Sequence, residues 1–154
     1  MDNLEWCRKV KNGIELVEPS NNLSKAYIKK AEDSLRAASV LKDNKDWEIS
    51  SSYYTMYFSL YAILMKIGVK CEIHSCTLKF MKIFLNNYFN DSDMYLIEMA
   101  QKARIDTQYY SNRNISDELY NEIVNGVSSF FTKCKNIIIK LSESEIKGIR
   151  SELK

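Results

Sequence analysis

From Ser24 onward, Tyr27, Ala31, Leu35, Ala38 and Leu41 recur at three- and four-residue intervals, with Lys29, Lys30, Glu32, Asp33 and Arg36 between them. This spacing predicts an amphipathic helix with one apolar stripe, ended by Asp43-Asn44-Lys45-Asp46. The next segment, Trp47 to about Ile67, behaves differently. Tyr53, Tyr54, Met56, Tyr57, Phe58, Leu60, Tyr61, Ile63, Leu64 and Ile67 cover every side of a helix, which is tolerated only where neighbours or a second subunit bury most of it. It is predicted to sit at the centre of a bundle and to contact a second copy, with Asp46 as N-cap and Gly68 as stop.

Further along, Val69 to Ile73 reads as a loop. A helix is predicted over Ser75–Tyr88, with Leu78, Met81, Phe84, Leu85 and Tyr88 inward. Another follows over Asp93–Tyr109, capped by Ser92 and striped by Leu96, Met99, Ala100 and Ala103. Ser116 opens the last long helix, to about Leu141. At the other end, Leu4 to Leu16 reads as a short helix stopped near Pro19, since proline lacks the amide donor a helix interior needs. The tail, Ser142 to Lys154, is charged, and Ser142 with Glu145 has the spacing of a capping box, so a short helix can form there if it docks. The pattern predicts one all-α domain over 1–154: an up-and-down bundle of four to five helices over 24–141, with an extra N-terminal helix and loop over 1–20 and a charged tail over 142–154.

Composition narrows this picture. At 154 residues, 45% hydrophobic and 27% charged, the chain suits a single domain with a substantial core. Four glycines and one proline leave too little turn material for an all-β fold. Lys+Arg 22 against Asp+Glu 20 gives a net charge of +2, so no global field advertises nucleic acid or an anionic membrane. No apolar run approaches the roughly 18 residues of a spanning helix. Asp2 and Glu5 before Trp6 do not resemble a signal peptide, and a cytoplasmic protein with no membrane association is expected. Cys7, Cys71, Cys76 and Cys134 are scattered, which predicts reduced, packed thiols.

Chemistry-bearing groups are few. Cys71, His74 and Cys76 have zinc-type side chains but lack a fourth ligand nearby, so no metal is expected. His74 is the only histidine, and no strained nucleophile turn accompanies it, which disfavours acyl transfer. The isolated glycines exclude phosphate-cradling loops, and no cofactor is expected. What remains is residues 103–113, where Arg104, Asp106, Gln108, Tyr109, Tyr110 and Arg113 gather at a helix end. Arginine suits phosphate, and tyrosine can stack on a base. The same set also suits a polar network containing Arg104 and Asp106 that fastens helices or subunits. Tyr53, Tyr54, Tyr57 and Tyr61 are open to the same pair of readings, ligand groove or core.

The motif order AEDSLRAASVL at 31–41, SSYYTMYFSLYAILMKIG at 51–68, IHS at 73–75 and ARIDTQYY at 103–110 resembles the HEPN (higher eukaryotes and prokaryotes nucleotide-binding) family, in its small single-domain prokaryotic branch. The resemblance spans residues 24–141 and rests most on Tyr53-Tyr54 with Met56, Gly68 and His74-Ser75. It implies a helical bundle, often a homodimer, that handles a nucleotide or RNA. Many such proteins are metal-independent endoribonucleases or toxins paired with a small nucleotidyltransferase antitoxin. Their motif sets an arginine a few positions before a histidine. Arg104 matches the arginine, but Ile105 follows it, and Tyr109 or Tyr110 stands nearest the histidine position. Ser51, Phe58 and Tyr61 also stand where basic or histidine side chains are common. A phenol of pKa about 10 is a poor base near neutral pH. The expected reading is therefore a binding module with Arg104 on phosphate and Tyr54, Asp106, Tyr109, Tyr110 and Arg113 around it. The alternatives are an endoribonuclease in which Tyr109 or His74 replaces the usual histidine, and a structural partner subunit.

Overall fold

The computed structural model describes residues 3–154; Asp2, part of the acidic start noted above, lies outside them. Among the described residues the chain forms seven helices and one pair of two-residue strands: α1 Asn3–Lys9, β1 Glu15–Leu16, α2 Asn21–Val40, α3 Lys45–Ile67, β2 Val69–Lys70, α4 His74–Phe84, α5 Asp91–Tyr109, α6 Asp117–Lys140 and α7 Glu143–Glu152. The fold is an all-α bundle. Helix α3 is its axis, packed against α2, α5, α6 and α7. Its all-round apolarity is absorbed within the chain: Tyr53, Met56, Tyr57, Leu60, Tyr61, Ile63, Leu64 and Ile67 are all buried. Only Tyr54 and Phe58 of the predicted set stay half-buried. The surplus of apolar surface expected to demand a second copy is thus mostly spent inside one protomer.

Helix starts follow local side-chain chemistry, with some shifts from the predicted caps. Asn44, not Asp46, caps α3, accepting from the Trp47 amide at 3.3 Å. Asn90, not Ser92, caps α5, forming a reciprocal capping box with Asp93, because an acceptor must precede the first turn rather than sit inside it. Ser116 caps α6 as predicted. Helix α4 starts at His74 and stops at Phe84, short of the predicted Tyr88.

At the N-terminus the predicted Leu4–Leu16 helix is broken. Asn12 takes a left-handed φ of 64°, which asparagine tolerates, and Gly13 approaches so closely that a Cβ there would lie 2.0 Å from the Cys7 carbonyl oxygen. The chain turns back and pairs as β1 with β2, inside the predicted Val69–Ile73 loop, in antiparallel register Glu15↔Lys70 and Leu16↔Val69. The tail docks as α7. Its Ser142–Glu145 capping box forms, and Arg150 Nη1 donates to the carbonyls of Val17, Ile67 and Gly68 at 2.8, 3.1 and 2.8 Å. Gly68, at φ 84°, leaves the space that guanidinium fills, since a Cβ there would lie 2.3 Å from Arg150 Nη1. No helix among the described residues is long and apolar enough to cross a membrane.

Candidate functional site

Helix α5 buries Met94, Ile97, Ala100, Ala103 and Arg104, a stripe turned from the predicted Leu96, Met99, Ala100 and Ala103 face. Ile97, Ala100 and Arg104 share one side of the helix at three- and four-residue steps, so a guanidinium occupies a position the helix otherwise gives to apolar residues. Arg104 is only 9% exposed. Its Cζ lies 5.0 Å from the Tyr53 ring centroid and 5.5 Å from that of Tyr54. Nη1 donates to Gln108 Oε1 at 3.2 Å, and Gln108 Nε2 donates to Ser50 Oγ at 3.1 Å. Nε is buried and has no hydrogen-bond partner, and Arg104 forms no ion pair among the described residues.

His74, the first residue of α4, meets the same aromatic group. Its ring stacks on Tyr57 at 4.0 Å and 10°, lies 5.8 Å from Tyr53 and stands edge-on to Tyr54 at 6.2 Å. Tyr53 Oη and His74 Nδ1 are 2.7 Å apart. Burial holds the Tyr53 phenol well above its ordinary pKa, reinforced by Tyr57 and opposed by Arg104, so it stays protonated. Tyr53 is fully buried, and its hydroxyl proton has this imidazole nitrogen as its acceptor. Tyr53 therefore donates to Nδ1, which leaves the imidazole proton on Nε2. Burial first, and the Arg104 charge second, push the His74 pKa below its ordinary value. The cluster thus combines a permanent cation with a neutral imidazole, a pair whose N–H groups are suited to holding an anion.

The remaining predicted residues lie in a second group at the far end of α5. Arg113 Nη1 pairs with Asp106 Oδ1 at 2.7 Å, and its Cζ stacks 3.6 Å from the Tyr110 ring centroid. Asp106 therefore serves Arg113, and the expected Arg104–Asp106 network is replaced by Arg104–Gln108–Ser50. Tyr110 and Arg113 line a cleft of about 290 Å³ with Lys45, Ile49 and Thr107. Tyr109 is 70% exposed. A cleft of about 640 Å³ beside Tyr88, Lys133 and Lys140 holds none of the predicted residues. Ser50 was missed because serine inside a tyrosine-rich helix carries no spacing signal. The Arg104–Gln108 step of four was the available clue.

The cysteines also depart from expectation: Cys7 and Cys76 form a disulfide, while Cys71 and Cys134 are buried free thiols. Burial pushes both free thiols up. Among the described residues no three His, Cys, Asp or Glu side chains are placed to hold a metal ion.

Comparison with known proteins adds two findings. The HEPN domain family profile matches residues 24–137. A protein of Methanocaldococcus jannaschii named "Putative toxin MJ0142" is similar to this chain, 30% identical over 127 residues that cover 79% of this chain and 84% of the relative.

Proposed function

As the chain belongs to the HEPN domain family, we propose that it acts as a toxin-type bundle that grips a phosphate of RNA or of a nucleotide through Arg104. The observation that carries this reading is the Arg104 guanidinium itself, buried, without a carboxylate, and with an unpartnered Nε. Removing a cation from water costs several kcal/mol even after relaxation. Two aromatic faces return about 0.5–2 kcal/mol each, so a deficit remains that an anion would offset. Tyr54, half-buried beside the guanidinium, presents a ring for a base, and the Tyr110–Arg113 stack extends the surface along α5. As a toxin-type protein it would act with a partner, a nucleotidyltransferase antitoxin being the expected kind, and as a homodimer joined through the Tyr54 and Phe58 face.

The endoribonuclease reading gains from His74 rather than from Tyr109. A neutral imidazole in the same aromatic group as a guanidinium could donate its Nε2–H to a phosphate oxygen, so that His74 and Arg104 together stabilise charge on the phosphorane. Incubating purified protein with mixed RNA plus a chelator, beside filter binding of a short single-stranded RNA, tests both. Binding lost in Arg104→Met supports the site. Cleavage lost in both Arg104→Met and His74→Gln supports catalysis. RNA binding unchanged in Arg104→Met would overturn the reading.

A further inference from the structure

Five helices open with a side chain that accepts an amide of the first turn: Ser20, Asn44, Asn90, Ser116 and Ser142. Helix α4 does not. Its N-cap is Ile73, with no side-chain hydrogen bond, so its first turn lacks a support that the others have. His74 is the first residue of that turn and Cys76 the third. Cys76 is bonded to Cys7 of α1 across a sequence separation of 69. The turn that presents the imidazole to Tyr53, Tyr54 and Tyr57 is therefore tied covalently to a seven-residue helix.

Helix α1 is too short to be stable alone. It is held by the disulfide, by Arg8 Nη2 donating to the Leu153 carbonyl at 2.8 Å, and by the Ile14 amide donating to the Cys7 carbonyl at 2.7 Å. Cys7 is 3% exposed, so a reductant reaches its sulfur when this seven-residue helix lifts, a local opening that does not require global unfolding. Cys76 sits at the amino end of α4, where the helix dipole favours negative charge, which makes its sulfur the better leaving group.

We propose that Cys7–Cys76 is a redox-active link, opened by a dithiol reductant, and that its opening loosens the His74 turn and weakens the candidate site. A reductant thiolate attacks Cys7 Sγ, the Cys7–Cys76 bond breaks, and Cys76 leaves as a thiolate that takes up a proton. The second reductant thiol then displaces Cys7. The dithiol is oxidised to its cyclic disulfide, and the two cysteines together gain two electrons and two protons. The loosening of the turn follows from the fold alone; its effect on ligand rests on the reading of Arg104 and His74 given above.

The test uses the full chain, oxidised with glutathione disulfide or reduced with dithiothreitol, alkylated after denaturation and weighed. Two alkylated cysteines are expected before reduction and four after it. Amide hydrogen exchange in the first turn of α4 should be about tenfold faster or more in the reduced protein, and Cys7→Ser should match the reduced state without reductant. His74, as the sole histidine, gives an unambiguous ring signal by NMR, which should titrate closer to its ordinary value once the turn loosens. Four alkylated cysteines in the oxidised sample, or identical exchange and His74 titration in both states, would overturn the proposal. Faster exchange with no binding of the short RNA in either state would support the link and overturn the ligand reading. Equal RNA binding in both states would overturn the coupling while leaving the site intact. Should Cys7→Ser fail to fold, the reduced wild-type protein carries the same comparison.

Discussion

Arg104 and Arg113 arise from the same short stretch of sequence and meet opposite environments. Arg113 stands half in solvent, neutralised by Asp106 and stacked on Tyr110. Arg104 is buried on the core side of α5, lies against Tyr53 and Tyr54, and is left with an unpartnered Nε. An exposed, paired arginine is stable without a ligand and contributes little to the fold. A buried, unpaired one lowers the stability of the empty protein, which makes sense where a ligand completes it. Residue type was the same in both cases. Burial and pairing separate them.

The largest contrast is expected from replacing each arginine with methionine. Arg104→Met should weaken binding of a short single-stranded RNA by at least about tenfold, the loss of charge-assisted hydrogen bonds. The same change should raise stability in urea by about 1–3 kcal/mol, because a buried unpaired charge is replaced by an apolar chain of similar length. A variant that loses both binding and stability would place Arg104 among structural residues. Tyr53→Phe should cost about 1 kcal/mol in urea unfolding through the lost hydrogen bond to His74, and it should raise the His74 titration seen by NMR. An unmoved titration would mean that burial and the Arg104 charge alone hold the imidazole neutral.

A smaller effect concerns acid. The folded pKa of His74 lies below its unfolded value of about 6.5, so the folded protein resists protonation that the unfolded chain accepts. The stability this group supports is complete above that pH and falls as pH drops through 6.5 toward the folded pKa. Melting temperature should therefore decline over that window in the wild type, and this part of the decline should vanish in His74→Gln. Arg113→Met should show the least: under about 0.5 kcal/mol in urea and less than about a threefold change in RNA binding at moderate salt. A loss there as large as at Arg104 would erase the distinction between the two groups.

The bundle was legible because periodicity reports burial directly: the Tyr27–Leu41 stripe and the apolar Tyr53–Ile67 segment became α2 and the axial α3. Caps were harder to place, since Asn44 and Asp46, or Asn90 and Ser92, are all good acceptors and only the backbone decides which precedes the first turn. The break after Lys9 was hidden because Asn12 and Gly13 act through backbone conformation and close approach. Within the site, Arg104, Tyr54 and His74 were all named from sequence, but their grouping around Tyr53 was not. Linear spacing pointed from Arg104 toward Tyr109, whereas α3 and α4 bring Tyr53 and His74 together from positions far from it in the chain. The Cys7–Cys76 bond was missed for the same reason, being a contact across 69 residues with no local signature.

A ligand role for Arg104 requires that its burial without an ion pair be completed by an anion. Its most direct test is the melting temperature of the wild type and of Arg104→Met, each with and without a short single-stranded RNA. The empty variant is expected to melt higher than the empty wild type, and RNA to raise the wild-type melting temperature only. An equal rise in both proteins, or no rise in either with the variant melting lower, would contradict it.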